Sequence, residues 1–401
     1  MDKETRTRID LGRTNRRAVL SEPVLNGPLS RTEIAKATGL TTATVSRITR
    51  DLIEAGLLME LSEDMNKVDD GPRSPGRRFV HLDVNAPGGY VLGIGVNVFS
   101  QSVTLADLKN RRLARVDLKL SDLTNPNMVI ERLTETANAM VAEHVIDRRR
   151  LLGASVAFTG AVDPDGGVVR TSPYLRWGEV ALGGCLTSAL GIPVRIESLP
   201  AALALAESRF GIALGVQNLL TINCSLGIGA SLIMDGRLIR GHNFSVGLIG
   251  GIAAPGVQYG TIDIVAGGHG ALMRIHGDAL DIPATPANEL AERLLDALDL
   301  ATSGDNEATK AVTNAGHNLG KAILPFIGLL HPEAIMIAGP MATAPCFVEA
   351  CRKALAASDG YTCDLKVSAM SAQAAARWVS IDEFLLERDL NLDDLKISKA
   401  A

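Results

Sequence analysis

The sequence predicts an α/β protein in which a small helical head precedes a larger, duplicated body. Three observations carry this. Residues 29–58 place apolar residues at helical spacing around a single glycine turn. From Gly89 onward, apolar strands alternate with Gly/Pro/Asp turns and amphipathic helices. Two stretches of that body, starting near Tyr90 and near Asn218, open alike, with strand hairpins followed by helices. A length of 401 residues and a 46% hydrophobic content suit two or three domains with buried cores.

In the head, Ser30 and Glu33 have capping-box spacing, so a helix starts at Arg31 with Ile34 and Ala35 turned inward. Gly39 ends it, because a tight turn needs a left-handed residue. Thr41 is placed to cap a second helix whose Val45, Ile48 and Leu52 share one face. The opposite face shows Thr42, Thr44, Ser46, Arg47 and Arg50, a polar set able to reach base edges and phosphates in a major groove. Arg31 and Thr32, at the start of the first helix, and Thr41 complete the expected contact set. Two short strands, 57–61 and 79–82, flank a polar loop carrying Arg73, Arg77 and Arg78. A basic hairpin after a helix-turn-helix is a wing, whose arginines can clamp phosphates or enter a minor groove.

The body reads as a hairpin over 90–118, a strand with its DPDGG turn over 151–167, and helices around 127–144 and 182–190. Strand, glycine turn, strand, turn and strand follow from Asn218, then helices around 287–298 and 309–330 and the strand of EAIMIAGP. Two similar lobes imply a cleft between them, where ligands bind.

Charge and composition narrow the function. The net charge is −5, and residues 1–78 hold 14 Lys+Arg against 12 Asp+Glu while the rest holds 26 against 33, a mild asymmetry favouring a DNA-binding head. An aromatic content of 3% argues against recognition of stacked single-stranded bases. Cys185, Cys224, Cys346, Cys351 and Cys363 lack zinc spacing and are expected to be reduced and mostly buried. With a charged start and no run of 18 apolar residues, the expected location is the cytoplasm, with no membrane partner.

GRTNRRAVL, the 29–58 segment, PGRR, GASVAFTGAVDPDGGVVRTSPYLRW, SLGIGASLIMDGRLIRG and LLHPEAIMIAGP together resemble the ROK family of bacterial sugar kinases and sugar-responsive repressors, from about Arg13 to Glu387. The resemblance implies a winged helix-turn-helix over 1–86 and a two-lobed actin/hexokinase-like (ribonuclease H-like) domain, with lobes over 87–200 and 201–401 and a C-terminal helix returning to the first lobe. It further implies a repressor acting as a homodimer or dimer of dimers on a double-stranded operator, with a sugar or polyol derivative as candidate effector.

The kinase parts are missing. Where family kinases carry an aspartate-glycine-glycine-threonine turn, this chain has GIGVNVF, with Gly95 at the aspartate and Phe99 at the threonine. The catalytic Asn-Asp-Ala-Asn run aligns with Ser198, Leu199, Pro200 and Ala201, and leucine cannot act as a base. The sugar-holding Glu-x-Gly-His motif corresponds to Leu248, Ile249, Gly250 and Gly251, and the zinc-loop region APGVQYGTIDIV has neither cysteine nor histidine. No catalytic residue, metal or cofactor is expected. Candidate cleft residues are Tyr174, Arg176, Trp177, Glu197, Ser198, His242 and Asn243. Structural alternatives stand beside them: Trp177 packing in its own lobe, His242 satisfying a turn, Glu197 and Arg176 pairing with each other. An alternative function confines the body to dimerisation or protein docking, and a second makes the chain a sugar kinase with an added head.

Overall fold

The computed structural model describes residues 3–61, 80–120, 122–244, 246–254, 260–277, 285–357, 363–388 and 390–396. The head is built from α1 (Lys3–Asn26), β1 (Leu29–Ser30), α2 (Arg31–Thr38), α3 (Thr42–Glu54), β2 (Leu58–Glu60) and β3 (His81–Val84). Its three strands form an antiparallel sheet in the order β1-β3-β2. Strand β3 begins two residues later than expected and continues through Asp83, a buried carboxylate neutralised by Lys109 at 2.5 Å. The wing residues Arg73, Arg77 and Arg78 lie outside the described residues.

Two five-stranded sheets make the body, and they share one plan. In the first, β4 (Tyr90–Val96), β5 (Gln101–Asp107) and β6 (Arg112–Leu118) form an antiparallel meander. After α4 (Pro126–Glu143), β7 (Leu151–Phe158) runs parallel to β4. The small hairpin β8 (Ala161–Asp163) and β9 (Val168–Thr171) and helix α5 (Leu182–Leu190) lead to β10 (Val194–Ser198), parallel to β7. Helix α6 (Leu199–Phe210) crosses to the second sheet. There β11 (Leu219–Cys224), β12 (Ile228–Met234) and β13 (Arg237–Ile239) repeat the meander. Helices α7 (Ile262–Ala266), α8 (Gly268–His276), α9 (Ala287–Thr302) and α10 (Asn306–Leu330) intervene before β14 (Ala334–Ala338). Helix α11 (Pro345–Ala356) then leads to β15 (Asp364–Val367), and β14 and β15 complete the second sheet in parallel.

Helix α12 (Ala372–Ile381) returns to the first sheet and lies on β4, where Ser380 Oγ donates to the Leu92 carbonyl at 2.8 Å. Only glycine fits beneath it: a Cβ at Gly93 would stand 2.3 Å from Arg377 Cγ and 2.6 Å from the Gln373 carbonyl oxygen. A π-helical turn, Asp382–Glu387, follows α12 directly. Its Phe384, Leu385 and Leu386 share one apolar core with Leu20, Leu52, Leu57 and Leu82 of the head. Head and body are therefore packed against each other, not merely tethered.

The cysteine expectation needs correction: Cys224 and Cys351 are buried, Cys346 and Cys363 half-buried, and Cys185 is exposed, because its helix α5 turns Leu182, Leu186 and Leu190 inward and Cys185 outward. No helix among the described residues is long and apolar enough to cross a membrane.

Candidate nucleic-acid interface and interlobe cleft

The head fixes α3 through local chemistry. Ser30 Oγ accepts from the Glu33 amide at 3.3 Å and Glu33 Oε2 accepts from the Ser30 amide at 2.7 Å, completing the capping box. The Ser30 backbone hydrogen bond holds the Glu33 carboxyl below its usual range. That contribution is present above the ordinary carboxylate pKa and fades as pH falls through the lowered one. Gly39 sits at φ 69°, and Thr41 Oγ1 accepts from the Thr44 amide at 3.2 Å. Val45, Ile48 and Leu52 are buried as expected. Ser30→Ala is expected to destabilise α2 by about 1 kcal/mol, read as roughly five-fold faster amide exchange across the helix.

The outward face carries Thr42, Arg47 and Arg50 exposed and Thr44 and Ser46 half-exposed. Arg47 lies 3.8 Å from Asp51, one turn on, and remains solvent-facing. Thr32 is exposed on the first turn of α2. Arg31 differs from the expected set: its guanidinium turns inward, donating to Glu60 at 2.7 Å and to Thr49 at 3.2 Å, so it braces α3 against β2. Thr41 is likewise used as the cap of α3, its hydroxyl 2.9 Å from that of Thr44.

Arg150 joins head to body. Its guanidinium donates to the carbonyls of Ala55 at 2.8 Å, Gly88 at 2.7 Å and Leu395 at 2.6 Å, tying α3, the connecting segment and the C-terminal tail together. Gly88 approaches so closely that a Cβ there would stand 2.1 Å from the Gly56 carbonyl oxygen.

The candidate ligand residues take different roles. Trp177 is 4% exposed, its N–H donates to the Leu123 carbonyl at 2.8 Å and its ring packs on Phe158, so it belongs to the core of its lobe. Glu197 is 2% exposed and both its oxygens are taken, but not by Arg176. Arg240 binds them at 2.7 and 2.9 Å, and Arg195 adds a bond at 3.1 Å. Arg176 is exposed in a left-handed conformation (φ 56°) within the turn that links Ser172 to Trp177. His242 and Asn243 are exposed in a short turn that follows β13, and half-buried Ser198 starts α6 without capping it by its side chain.

Tyr174 comes close to a second polar side chain, Asp263, that no motif in the sequence singled out. Asp263, on α7, accepts from the Ile228 amide at 2.5 Å and crowds both Gly227 and Gly250. A Cβ at Gly227 would stand 3.1 Å from the Tyr174 hydroxyl and 3.1 Å from an Asp263 oxygen. Burial pushes the Asp263 carboxyl up, and burial followed by the Asp263 charge pushes the Tyr174 hydroxyl up. The carboxylate and the phenol approach each other across Gly227, and both are groups that pair with hydroxyls.

The turn after β4 and the start of α6 are packed by the chain itself. The amides of Phe99 and Ser100, in the turn after β4, are both satisfied by Asn97 Oδ1 at 2.9 and 3.0 Å. A Cβ at Gly95 would stand 3.0 Å from the Gln373 amide nitrogen and 3.1 Å from Ala372 Cβ, so the start of α12 occupies the space a carboxylate would need. Leu199, 9% exposed, begins α6. Among the described residues no three His, Cys, Asp or Glu side chains are grouped to hold a metal ion; residues 255–259 of the zinc-loop region lie outside them.

The chain is similar to known proteins over most of its length. Residues 91–376 match the ROK family and residues 25–61 the IclR helix-turn-helix domain. The N-acetylglucosamine repressor of Escherichia coli O6:H1 is 27% identical over 330 residues, spanning 79% of this chain and 78% of that protein. The xylose repressor of Bacillus spizizenii is 26% identical over 325 residues, spanning 81% and 82%. A crystal structure of a ROK family transcriptional regulator, described as a homologue of the Escherichia coli Mlc protein, superposes with a TM-score of 0.75 over 96% of this chain and 98% of that one, at 24% identity. A ROK family glucokinase from Streptomyces griseus, in complex with glucose and AMPPNP, shares the fold of the body (TM-score 0.59, 18% identity, 72% and 97% coverage).

Proposed function

The chain belongs to the ROK family, and from that premise we propose that it is a transcriptional repressor that binds duplex DNA through α3 and has no kinase activity. One observation carries the reading: a capped, rigidly braced helix turns Thr42, Arg47 and Arg50 to solvent on a body whose phosphate turn is closed by its own Asn97. The full-length repressors it resembles support it. In this reading residues 1–86 form the DNA-binding domain, with Arg73, Arg77 and Arg78 as its wing, and residues 87–200 and 201–401 the two lobes. The protein acts as a homodimer or dimer of dimers, and a pseudo-palindromic operator matches its two-fold symmetry. A coupled nucleotide-hydrolysis assay across a panel of sugars tests the kinase alternative; turnover with any of them overturns the reading.

The effector site centres on Tyr174 and Asp263, with Ser198, Arg176, His242 and Asn243 as its further candidate contacts, and its occupant is a sugar or polyol derivative. The positions of Leu199, Leu248 and Gly251 cannot offer hydroxyl partners, and each polar group buried without one costs about 1–3 kcal/mol, so a plain hexose is disfavoured. A panel member present at about 100 times its dissociation constant is expected to stabilise the protein by about 2.7 kcal/mol. That shift should disappear in Asp263→Asn and persist in Trp177→Phe. If no sugar or polyol shifts the melting temperature, the body serves dimerisation or protein docking instead.

A further inference from the structure

A chain of charged side chains, buried at Glu197 and exposed at Glu387 and Arg17, runs from between the lobes to the head. At its cleft end, Glu197 on β10 of the first sheet is clasped by Arg240, which follows β13 of the second, so the pair bridges the two lobes. Arg195 shares Glu197 at 3.0 Å and lies 3.9 Å from Glu383 on the π turn and 3.8 Å from Asp165. Two other carboxylates of that turn point elsewhere. Asp382 pairs with Arg209, and Glu387 lies 3.3 Å from Arg209 and pairs with Arg17 of α1. Arg209 stands near the end of α6, which begins two residues after Glu197 and spans about 18 Å at 1.5 Å per residue. The cleft clasp thus reaches the turn twice, through Arg195 and along a rigid helix.

The turn is also mechanically engaged. A Cβ at Gly153 would stand 2.5 Å from the Phe384 ring, and Leu385 and Leu386 are packed in the core shared with the head. Wide π-helical turns recur at functional positions because they break the regular ladder. Here the break lets three acidic side chains on six residues face three different elements.

We infer that the π turn Asp382–Glu387 is a coupling element that joins the Glu197–Arg240 clasp between the lobes to helix α1 of the head, so that loosening either end loosens the other. A ligand that changes the lobe arrangement must break or remake the clasp. The turn carries that change to Arg17, and so to the placement of α3. The inference rests on the reading of the first 86 residues as a DNA-binding head, but its test needs no DNA, so the two fail separately.

Amide exchange of the full chain reads the coupling directly. Arg240→Gln is expected to raise exchange about five-fold or more in β10 and β13, and also in the π turn and α1. Coupling is reciprocal, so Arg17→Ala must raise exchange at β13 as well as in α1. In a Glu383→Gln background the effect of Arg240→Gln on α1 should shrink at least two-fold while its effect on β13 stays. If Arg240→Gln does not fold, Arg240→Lys, which keeps the charge without the two-pronged grip, replaces it. The inference is overturned if α1 stays within two-fold of the parent protein when the clasp is broken, if Arg17→Ala leaves β13 unchanged, or if Glu383→Gln fails to interrupt the spread.

Discussion

Alanine at Arg47 or Arg50 is expected to weaken binding to the preferred duplex by about 1–3 kcal/mol if the lost contact is a bidentate one to a base. Both guanidiniums stand on the exposed face of α3, opposite the buried Val45, Ile48 and Leu52, so their removal leaves the head folded. Arg31→Ala should behave differently. Its guanidinium is committed to Glu60 and Thr49, so the loss would be read first as faster exchange at the junction of α3 and β2. Titration of a labelled duplex by each variant, with melting curves alongside, separates the two classes. Unchanged affinity in both Arg47→Ala and Arg50→Ala would remove α3 from the interface.

The second large effect is expected at Arg150, far from any base. Replacing it with alanine removes charge-assisted hydrogen bonds to three carbonyls that belong to the head, the connecting segment and the C-terminal tail. Bonds to a charged group contribute about 1.5–3 kcal/mol each, and solvent can replace some of them, so a loss of about 3 kcal/mol is expected. Urea titration followed by near-ultraviolet circular dichroism measures it. Arg150→Lys should recover only part, since an ammonium is a point donor and cannot span the same fork. A change within about 0.5 kcal/mol would mean that the joint is held by the apolar core alone.

How much of this was legible in the sequence depended on whether the signal was local. The capping box at Ser30, the turn at Gly39 and the spacing of Val45, Ile48 and Leu52 are decided within a few residues, and α2 and α3 appear where they predict. The duplicated meanders were legible for the same reason. Helix α1 was not, because among its described side chains only Val19, Leu20 and Pro23 are buried, and it carries a proline within it. Strand β3 was misplaced by two residues because Asp83 resembles a turn residue, and its burial is made tolerable by Lys109, from a distant hairpin, together with the Val84 amide.

The cleft was harder to read. Glu197 pairs with Arg240, 43 positions away, and no spacing rule selects that partner over Arg176. Asp263 lies in a segment whose missing cysteines and histidine drew attention away from the acid that is present. Its meeting with Tyr174 depends on two glycines, Gly227 and Gly250, that leave room for the carboxylate. The missing kinase residues were visible as letters, but what replaced them was not. That Asn97 closes the phosphate turn and that the start of α12 fills the space over Gly95 are facts of tertiary packing.

The central claim is that α3 reads duplex sequence, and it is tested most directly by selecting sites from a randomised duplex pool with the full-length protein and measuring the enriched site against unrelated duplex at fixed salt. The account predicts a pseudo-palindromic site bound at least about a thousand-fold more tightly than unrelated duplex, with half-site centres about one helical turn or a multiple apart. Arg47→Ala and Arg50→Ala should erode that ratio more than they erode binding to unrelated duplex. Enrichment of no sequence, or a ratio near one that both variants leave unchanged, would contradict it.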